Sequence, residues 1–251
     1  MYALITGASS GIGLEIARIL AGKGYNLILV ARREERLKQL RRELRQRHDI
    51  DVIPYATDIS DPDNCYKLLA FTRSYDVGIL VNAAGFGKIG SYNKVPLKSE
   101  LDMIQTNIVA LQILTKRFAK RMNRGRILNI ASIAAFQPGP AFATYSATKS
   151  YVFHYSMAVN YELRRERKNV QISVLCPGPV STEFDSVAGT NFSLRSISAK
   201  ECATAAVKGL LKGKCLIVPS FQTSVLRLLS RVAPYKLLLP IEYEIQTRKL
   251  K

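Results

Sequence analysis

Apolar, β-branched runs alternate along this chain with longer segments whose apolar residues recur every three or four positions. The runs YALIT (2–6), NLILVA (26–31), DVIPYA (51–56), VGILVNA (77–83), RILNIAS (126–132), QISVLC (171–176) and KCLIVP (214–219) predict strands. Between them LEIARILAGKG, LKQLRRELRQR and LQILTKRFAKRM predict amphipathic helices. Strands this continuously hydrophobic are buried on both faces, which indicates a parallel sheet covered by helices. Parallel neighbours need right-handed crossovers. The expected fold is α/β, a doubly wound parallel sheet of seven strands with helices on both faces. No linker-like stretch, repeat or low-complexity segment divides the chain, so a single domain is expected over 1–220. Residues 221–251 read as a basic amphipathic extension packed on that domain. Within it Val225, Leu228, Leu229 and Val232 fall at i, i+3, i+4 and i+7, with Arg227 and Arg231 on the opposite face.

The 251 residues are 47% hydrophobic and 22% charged, an ordinary globular composition with enough chain for one large core. No apolar run approaches the roughly 20 residues of a bilayer-spanning helix. With the first strand starting at Tyr2, no signal or transit segment is expected. Cys65, Cys176, Cys202 and Cys215 form no C-x-x-C pair, and only His48 and His154 could join them, so no metal site is expected. Reduced thiols and a cytoplasmic location follow as expectations. The net charge of +18 is spread over ARREERLKQLRRELRQRH, KRFAKRMNRGR, LRRERK and the C-terminus. Mixed signs at helical spacing in EERLKQLRRELRQR read as a solvated helix face. No zinc-finger or RNA-binding motif accompanies the charge, so no specific nucleic-acid partner is expected. An anionic cofactor, an anionic substrate or a membrane surface also suits this field.

The chemistry begins at TGASSGIG, where Gly7, Gly11 and Gly13 separate the first strand from a helix starting near Leu14. Glycines allow a tight turn and close backbone approach, and a helix N-terminus attracts pyrophosphate. Gly7, Ser9, Ser10, Gly11, Ile12 and Gly13 are therefore assigned to a dinucleotide in a Rossmann-type arrangement. An acid at the end of the second strand, about 20 residues on, holds a ribose 2′-hydroxyl, whereas an arginine accommodates a 2′-phosphate. Here Ala31 stands where the acid would fall, followed by Arg32 and Arg33. A guanidinium grips phosphate bidentately, and no carboxylate is expected at the strand tip itself to oppose it. NADP(H) is favoured over NAD(H). The plainer alternative, in which both arginines only open a charged helix, stays open.

AFATYSATKSY then places Tyr145 four residues before Lys149. Taken with TGASSGIG (6–13), Asp58 after the third strand, NAAG (82–85), Asn107, Ser132 and PGPVST (177–182), this order resembles the short-chain dehydrogenases/reductases. The resemblance is to their single-domain branch and covers nearly the whole chain. It implies that Asp58 contacts an adenine ring with Ile59 beside it. It implies that Asn82, followed by Ala83, Ala84 and Gly85, steadies the central strands against the cofactor. Asn107 would hold a water at an irregular helical turn. Pro177, Gly178, Val180 and Thr182 would close on the nicotinamide carboxamide.

A free phenol titrates near pH ~10. On a helix Lys149 shares a face with Tyr145. Its ammonium, with a positively charged nicotinamide, would draw the phenol toward neutrality. Tyr145 is then the general acid of carbonyl reduction and the base of the reverse reaction. Lys149 would also reach the nicotinamide ribose and pass protons through water and Asn107. Ser132 would hydrogen-bond the carbonyl oxygen. The expected catalytic set is thus Ser132, Tyr145, Lys149 and Asn107, with His154 read as structural.

Phe86, Ile89, Phe136, Phe142 and the loop EFDSVAGTNFSLRS (183–196) are expected to line an apolar pocket, with a substrate loop over about 183–200. The expected function is NADP(H)-dependent interconversion of a carbonyl and an alcohol on a largely apolar small molecule. A 3-oxoacyl-thioester reductase is a specific alternative, although NAAGFGKIG departs from the NNAGI-type sequence usual there. A non-enzymatic NADP(H)-binding regulator is another, against which the complete Ser132, Tyr145 and Lys149 set argues. An epimerase or dehydratase of the wider family ranks lower. The resemblance also implies a homodimer or homotetramer through helices near 105–121 and 145–165. The extension is expected to cover the pocket or a subunit face. Membrane contact through 223–240 is the less favoured reading.

Overall fold

The computed structural model describes residues 1–189 and 196–248, apart from the side chains of Arg231, Val232 and Arg248. Residues 190–195 of the expected substrate loop therefore lie outside the described residues, as do the side chains of Arg231 and Val232 from the expected amphipathic face.

The strands are β1 (Tyr2–Thr6), β2 (Asn26–Ala31), β3 (Val52–Ala56), β4 (Val77–Asn82), β5 (Arg124–Ile130), β6 (Asn169–Leu175), β7 (Val180–Ser181), β8 (Ile197–Ser198) and β9 (Leu216–Ile217). Seven of them form one parallel sheet in the order β3-β2-β1-β4-β5-β6-β9, and β7 pairs with β8 apart from it. The sheet is doubly wound around β1, the strand at which the order reverses.

Side-chain alternation divides the core. Ala3 and Ile5 of β1 and Leu27 and Leu29 of β2 face α1 (Gly11–Ala21) and α2 (Glu34–Arg47). Leu4 and Ile28 face the other side, where α3 (Pro62–Phe71) lies. That second face continues through α4 (Leu97–Ile104), a π-helical turn at Gln105–Ala110, and α5 (Leu111–Arg121), which buries Leu114 and Phe118. The long α6 (Ala143–Arg165) follows β5, and the short α7 (Phe184–Ala188) follows β7. α8 (Ala199–Leu211) returns to the first face, started by a reciprocal cap between Ser198 and Glu201. α9 (Phe221–Val232) and α10 (Tyr235–Arg248) complete the chain.

Strand ends differ from the sequence reading where a neighbour sets the limit. The apolar run suggested a fifth strand to Ser132, but β6 ends at Leu175 and pairing with β5 stops at Ile130. Ser132 instead caps a tight turn at Ile133–Phe136, its Oγ accepting from the Ala134 amide at 3.2 Å. The seventh strand shrinks to Leu216–Ile217, which pair with Val174 and Leu175 at the end of β6.

Phe118 is fully buried between α5 and the sheet. Phe118→Ala should lower the unfolding free energy by about 3–5 kcal/mol in urea melts, the cost of a large core cavity. A loss below about 1 kcal/mol would show that this face collapses to fill the space.

Candidate active site

The crevice beyond the carboxyl ends of strands, at the point where sheet order reverses, is where doubly wound sheets take their ligands. Here it holds a cavity of about 730 Å³. Every residue assigned from the sequence to catalysis or cofactor contact lines it except Asn82 and Asn107.

The glycine loop forms one part of the lining. A Cβ on Gly13 would fall 2.4 Å from the Gly7 carbonyl oxygen, so the first turn of α1 packs directly on the loop with no room for a side chain. Thr6, a residue the motif reading left without a role, ties this loop to β4. Its hydroxyl accepts from the amides of Ala83 and Ala84, each at 3.1 Å. The cavity therefore meets the N-terminal turn of α1 at Gly11, Ile12 and Gly13.

Arg33 bridges the loop to a distant segment. Its guanidinium donates to Ser9 Oγ at 3.2 and 3.1 Å and to Ser10 Oγ at 2.7 Å. It also pairs with Glu183 at 2.7 Å, and Arg36 pairs with the second oxygen of Glu183 at 2.5 Å. Arg32 lies 3.7 Å from Asp58. The expectation of unopposed arginines is corrected here. Glu34 and Glu35 follow directly in the helix, yet the carboxylate that pairs with Arg33 is Glu183, 150 residues beyond it. Hydrogen bonds from Arg36 and then Arg33 hold the Glu183 carboxyl down at about 2.

Tyr145 and Lys149 lie one turn apart on α6, both buried. The Tyr145 ring stacks on Phe142 with centroids 4.3 Å apart, and Phe184 meets it at 5.4 Å. A Cβ on Gly87 would approach Phe184, Tyr145 and Phe142 at 2.8, 2.9 and 3.0 Å. That crowding gives the glycine in NAAGFG a physical reason: it admits the three rings. Lys149 Nζ donates to the Ile130 carbonyl at 2.9 Å and stands 5.6 Å from the centre of the Tyr145 ring.

Burial pushes the Tyr145 phenol up to about 12, a hydrogen bond with Ser132 acting more weakly in the opposite sense. The same burial brings the Lys149 ammonium down to about 8. Burial governs the phenol here, and no pull from Lys149 is set against it. Desolvation acts on both groups and weakens the very charge that was to do the pulling.

Asn107 sits in the π-helical turn, yet its side chain does not reach the cavity. Its Nδ2 donates to the Phe86 carbonyl at 2.9 Å and to Thr148 Oγ1 at 3.0 Å, and its Oδ1 accepts from the Phe86 amide at 3.1 Å. It thus clamps the segment after β4 to α6. Asn82 lies beneath the cavity, donating to Asn129 Oδ1 at 2.8 Å and Thr115 Oγ1 at 3.0 Å. Asn129 continues to Ser156 Oγ on α6 at 2.9 Å. Sequence reasoning missed this chain of contacts, although Asn129 is a visible polar interruption in the apolar run RILNIAS.

Phe86, Phe142 and Phe184 line the apolar side of the cavity, joined by Leu226, Leu229 and Ile241 from the C-terminal helices. Two expected wall residues lie elsewhere. Ile89 turns into a core cluster with Met103. Phe136 meets Phe153 at 4.9 Å and carries the Arg227 guanidinium at 5.5 Å. A polar group was also missed: Glu242 accepts from Gln137 and, at 3.2 Å, from Gln246, and all three line the cavity. His154 is exposed on α6, its Nδ1 2.9 Å from the Ser150 carbonyl.

The short chain dehydrogenase family matches this sequence over residues 1–191. The chain is a short-chain dehydrogenase. As a member of that family it is an oxidoreductase. Over 189 residues this dehydrogenase is 40% identical to the granaticin polyketide synthase putative ketoacyl reductase 1 of Streptomyces violaceoruber, covering 72% of this chain and 68% of that one. It is 37% identical over 187 residues to a very-long-chain 3-oxoacyl-CoA reductase of Neurospora crassa, covering 69% of this chain. The match spans only 54% of that relative's length. A short-chain dehydrogenase from Sphingobium yanoikuyae in complex with NADPH superposes with a TM-score of 0.82 at 29% identity, covering 89% of each chain. A Burkholderia phymatum member in complex with NAD superposes equally well, at 0.82, but at 24% identity the likeness is one of fold.

Lys149 holds its proton less firmly folded, at about 8, than unfolded, at 10.5. Below about 8 the folded dehydrogenase carries the full cost of a buried ammonium. Between those values the unfolded chain binds more protons, so this contribution to stability improves as pH rises. Lys149→Met removes the charge at similar volume. In cofactor-free protein the variant should exceed the wild type at about pH 7 by up to about 3 kcal/mol, with the gap closing by about pH 10. Taking the difference cancels Cys65 and Cys202, whose raised thiols lower the stability of both proteins as pH rises above 9, whereas Cys176 loses the neighbouring Lys149 charge in the variant and its thiol rises further. Urea melts at both pH values check this, and a gap independent of pH would contradict it.

Proposed function

We propose that this chain is an NADP(H)-dependent oxidoreductase that interconverts a carbonyl and an alcohol on a largely apolar substrate, with Tyr145 as general acid and base. One observation carries the reading: buried Tyr145, Lys149 and Ser132 open on the same cavity as the glycine loop and Arg33. The lining fits a nicotinamide dinucleotide. The Gly7–Gly13 contact at the start of α1 suits a pyrophosphate. Arg33 with Ser9 and Ser10 suits a 2′-phosphate, and Arg32, Asp58 and Ile59 suit the adenosine end. Pro177, Gly178, Val180 and Thr182 suit the nicotinamide end. A bound nicotinamide supplies the hydride chemistry.

The chain supplies orientation and the proton. The Ser132 and Tyr145 hydroxyls hold the carbonyl oxygen, and Tyr145 donates its proton as charge develops there. A phenol held up at about 12 stays protonated at neutral pH, the state that reduction requires. The Lys149 ammonium stabilises the phenolate that remains. Asn107 acts as a positioning residue, fixing Phe86 and the Thr148 turn of α6. In the reverse direction the phenolate accepts the alcohol proton. The ketoacyl and 3-oxoacyl names of two relatives favour a 3-oxoacyl thioester as the first substrate class to try.

NADPH oxidation with aldehydes, ketones, steroids and 3-oxoacyl thioesters tests this reading. Tyr145→Phe should lower kcat by about 10²–10⁴-fold while NADPH binding is retained. Wild-type turnover in the variant, or no carbonyl reduced despite tight NADPH binding, would sink it. Cofactor choice has its own test. Arg33→Ala should weaken NADPH about tenfold or more and NADH little, because a charge-assisted phosphate contact is lost. Glu183→Gln should tighten NADPH by freeing both guanidiniums. Equal effects on the two cofactors would show that Arg33 does not read the 2′-phosphate.

A further inference from the structure

The two C-terminal helices turn polar residues inward and apolar residues outward. α9 buries Thr223 and Ser230 and half-buries Arg227, while Phe221 and Leu228 stand 83% and 65% exposed. Val225 and Leu229 extend that outer stripe. α10 buries Glu242 and Gln246 and exposes Leu237, Ile241, Tyr243 and Ile245. Specific contacts hold this orientation. Ser220 caps α9 at the Thr223 amide, Arg227 lies over Phe136, and Glu242 bonds Gln137. A surface helix of a globular protein normally hides its apolar stripe. Exposed apolar surface of this extent marks a binding face.

We propose that the outer face of α9 and α10 docks on an anionic lipid bilayer, with both helices lying in the interface. Charge selects this occupant over a second copy of the chain. At a net charge of +18 two copies repel, whereas an anionic surface attracts each of them. On α10 Lys236 is exposed beside Leu237, placed to meet headgroups, and Glu244 is exposed beside Ile245. No helix among the described residues is long and apolar enough to cross a membrane, so the contact is interfacial. The position of the cavity supports the same occupant, in a step that rests on the function proposed above. Leu229, Ile241 and Ile245 belong both to the exposed face and to the cavity lining, so one apolar surface runs from outside into the substrate site. A lipid-dissolved carbonyl compound can follow that surface without crossing water. A self-association face would close it.

Co-sedimentation of the full chain with phosphatidylcholine vesicles, with and without phosphatidylglycerol, tests the docking without any turnover. The chain should pellet with the anionic vesicles, less with the neutral ones, and less as salt rises. The double variant Leu228→Glu, Leu237→Glu alters two side chains that do not line the cavity. It should lose about tenfold or more in vesicle affinity and keep wild-type NADPH binding. A wild-type chain that stays in the supernatant at low salt, or a double variant that pellets equally, would overturn the proposal. Light scattering that shows a wild-type dimer broken by the variant, with no vesicle binding, would assign the face to a second copy instead. Vesicle binding without any carbonyl turnover would leave the docking standing and remove the function proposed above.

Discussion

A lysine buried without a carboxylate at its side is the constraint around which this molecule is arranged. The Lys149 ammonium is held by the Ile130 carbonyl, a neutral acceptor that does not repay the loss of hydration. The surroundings therefore have to be rigid enough to keep it there. α6 carries it, and α6 is fastened from below by the Asn82–Asn129–Ser156 contacts and from the side by Asn107 to Thr148. The strand that supplies the carbonyl ends its register at Ile130, and the Ser132 cap starts a tight turn just beyond it. Stability is given up at one point to hold an ammonium one helical turn from Tyr145.

The legible parts of this arrangement are those whose physical cause is local. The glycine loop is visible because turn, close approach and helix start fall within eight residues, TGASSGIG. The seven strands are visible because a sheet covered on both faces needs unbroken apolar runs. What escaped depends on partners far away in sequence. Asn82 and Asn107 carry motif positions, but only the folded chain shows that their side chains turn to Asn129 and Phe86 and away from the cavity. The end of β5 is set by β6, so reading the run RILNIAS alone overshoots it. Glu183 and Arg33 meet across 150 residues, and nothing around either one announces the other.

That ion pair links two halves of the site that the motif reading treats separately. Glu183 heads the segment that carries Phe184 to the Tyr145 ring, while Arg33 reaches back to Ser9 and Ser10 of the glycine loop. A carboxylate held at about 2 by two guanidiniums stays ionised across the working pH range, so only another anion competes for its place. The position of Phe184 against Tyr145 is thus coupled by charge to whatever occupies the arginines.

The C-terminal helices show most clearly where sequence pattern ends and structure begins. Periodicity reveals two faces in FQTSVLRLLSRV but not which of them turns inward. Here the side carrying Thr223, Arg227 and Ser230 turns inward, because the surface it meets is polar or aromatic. Gln137 offers Glu242 a partner and Phe136 offers Arg227 a ring. Both residues lie in the short segment that begins at Ser132, which lines the cavity. The apolar outer face is therefore bound through one turn of chain to the residue that would hold the substrate oxygen. Contacts made by that face bear directly on the mouth of the site.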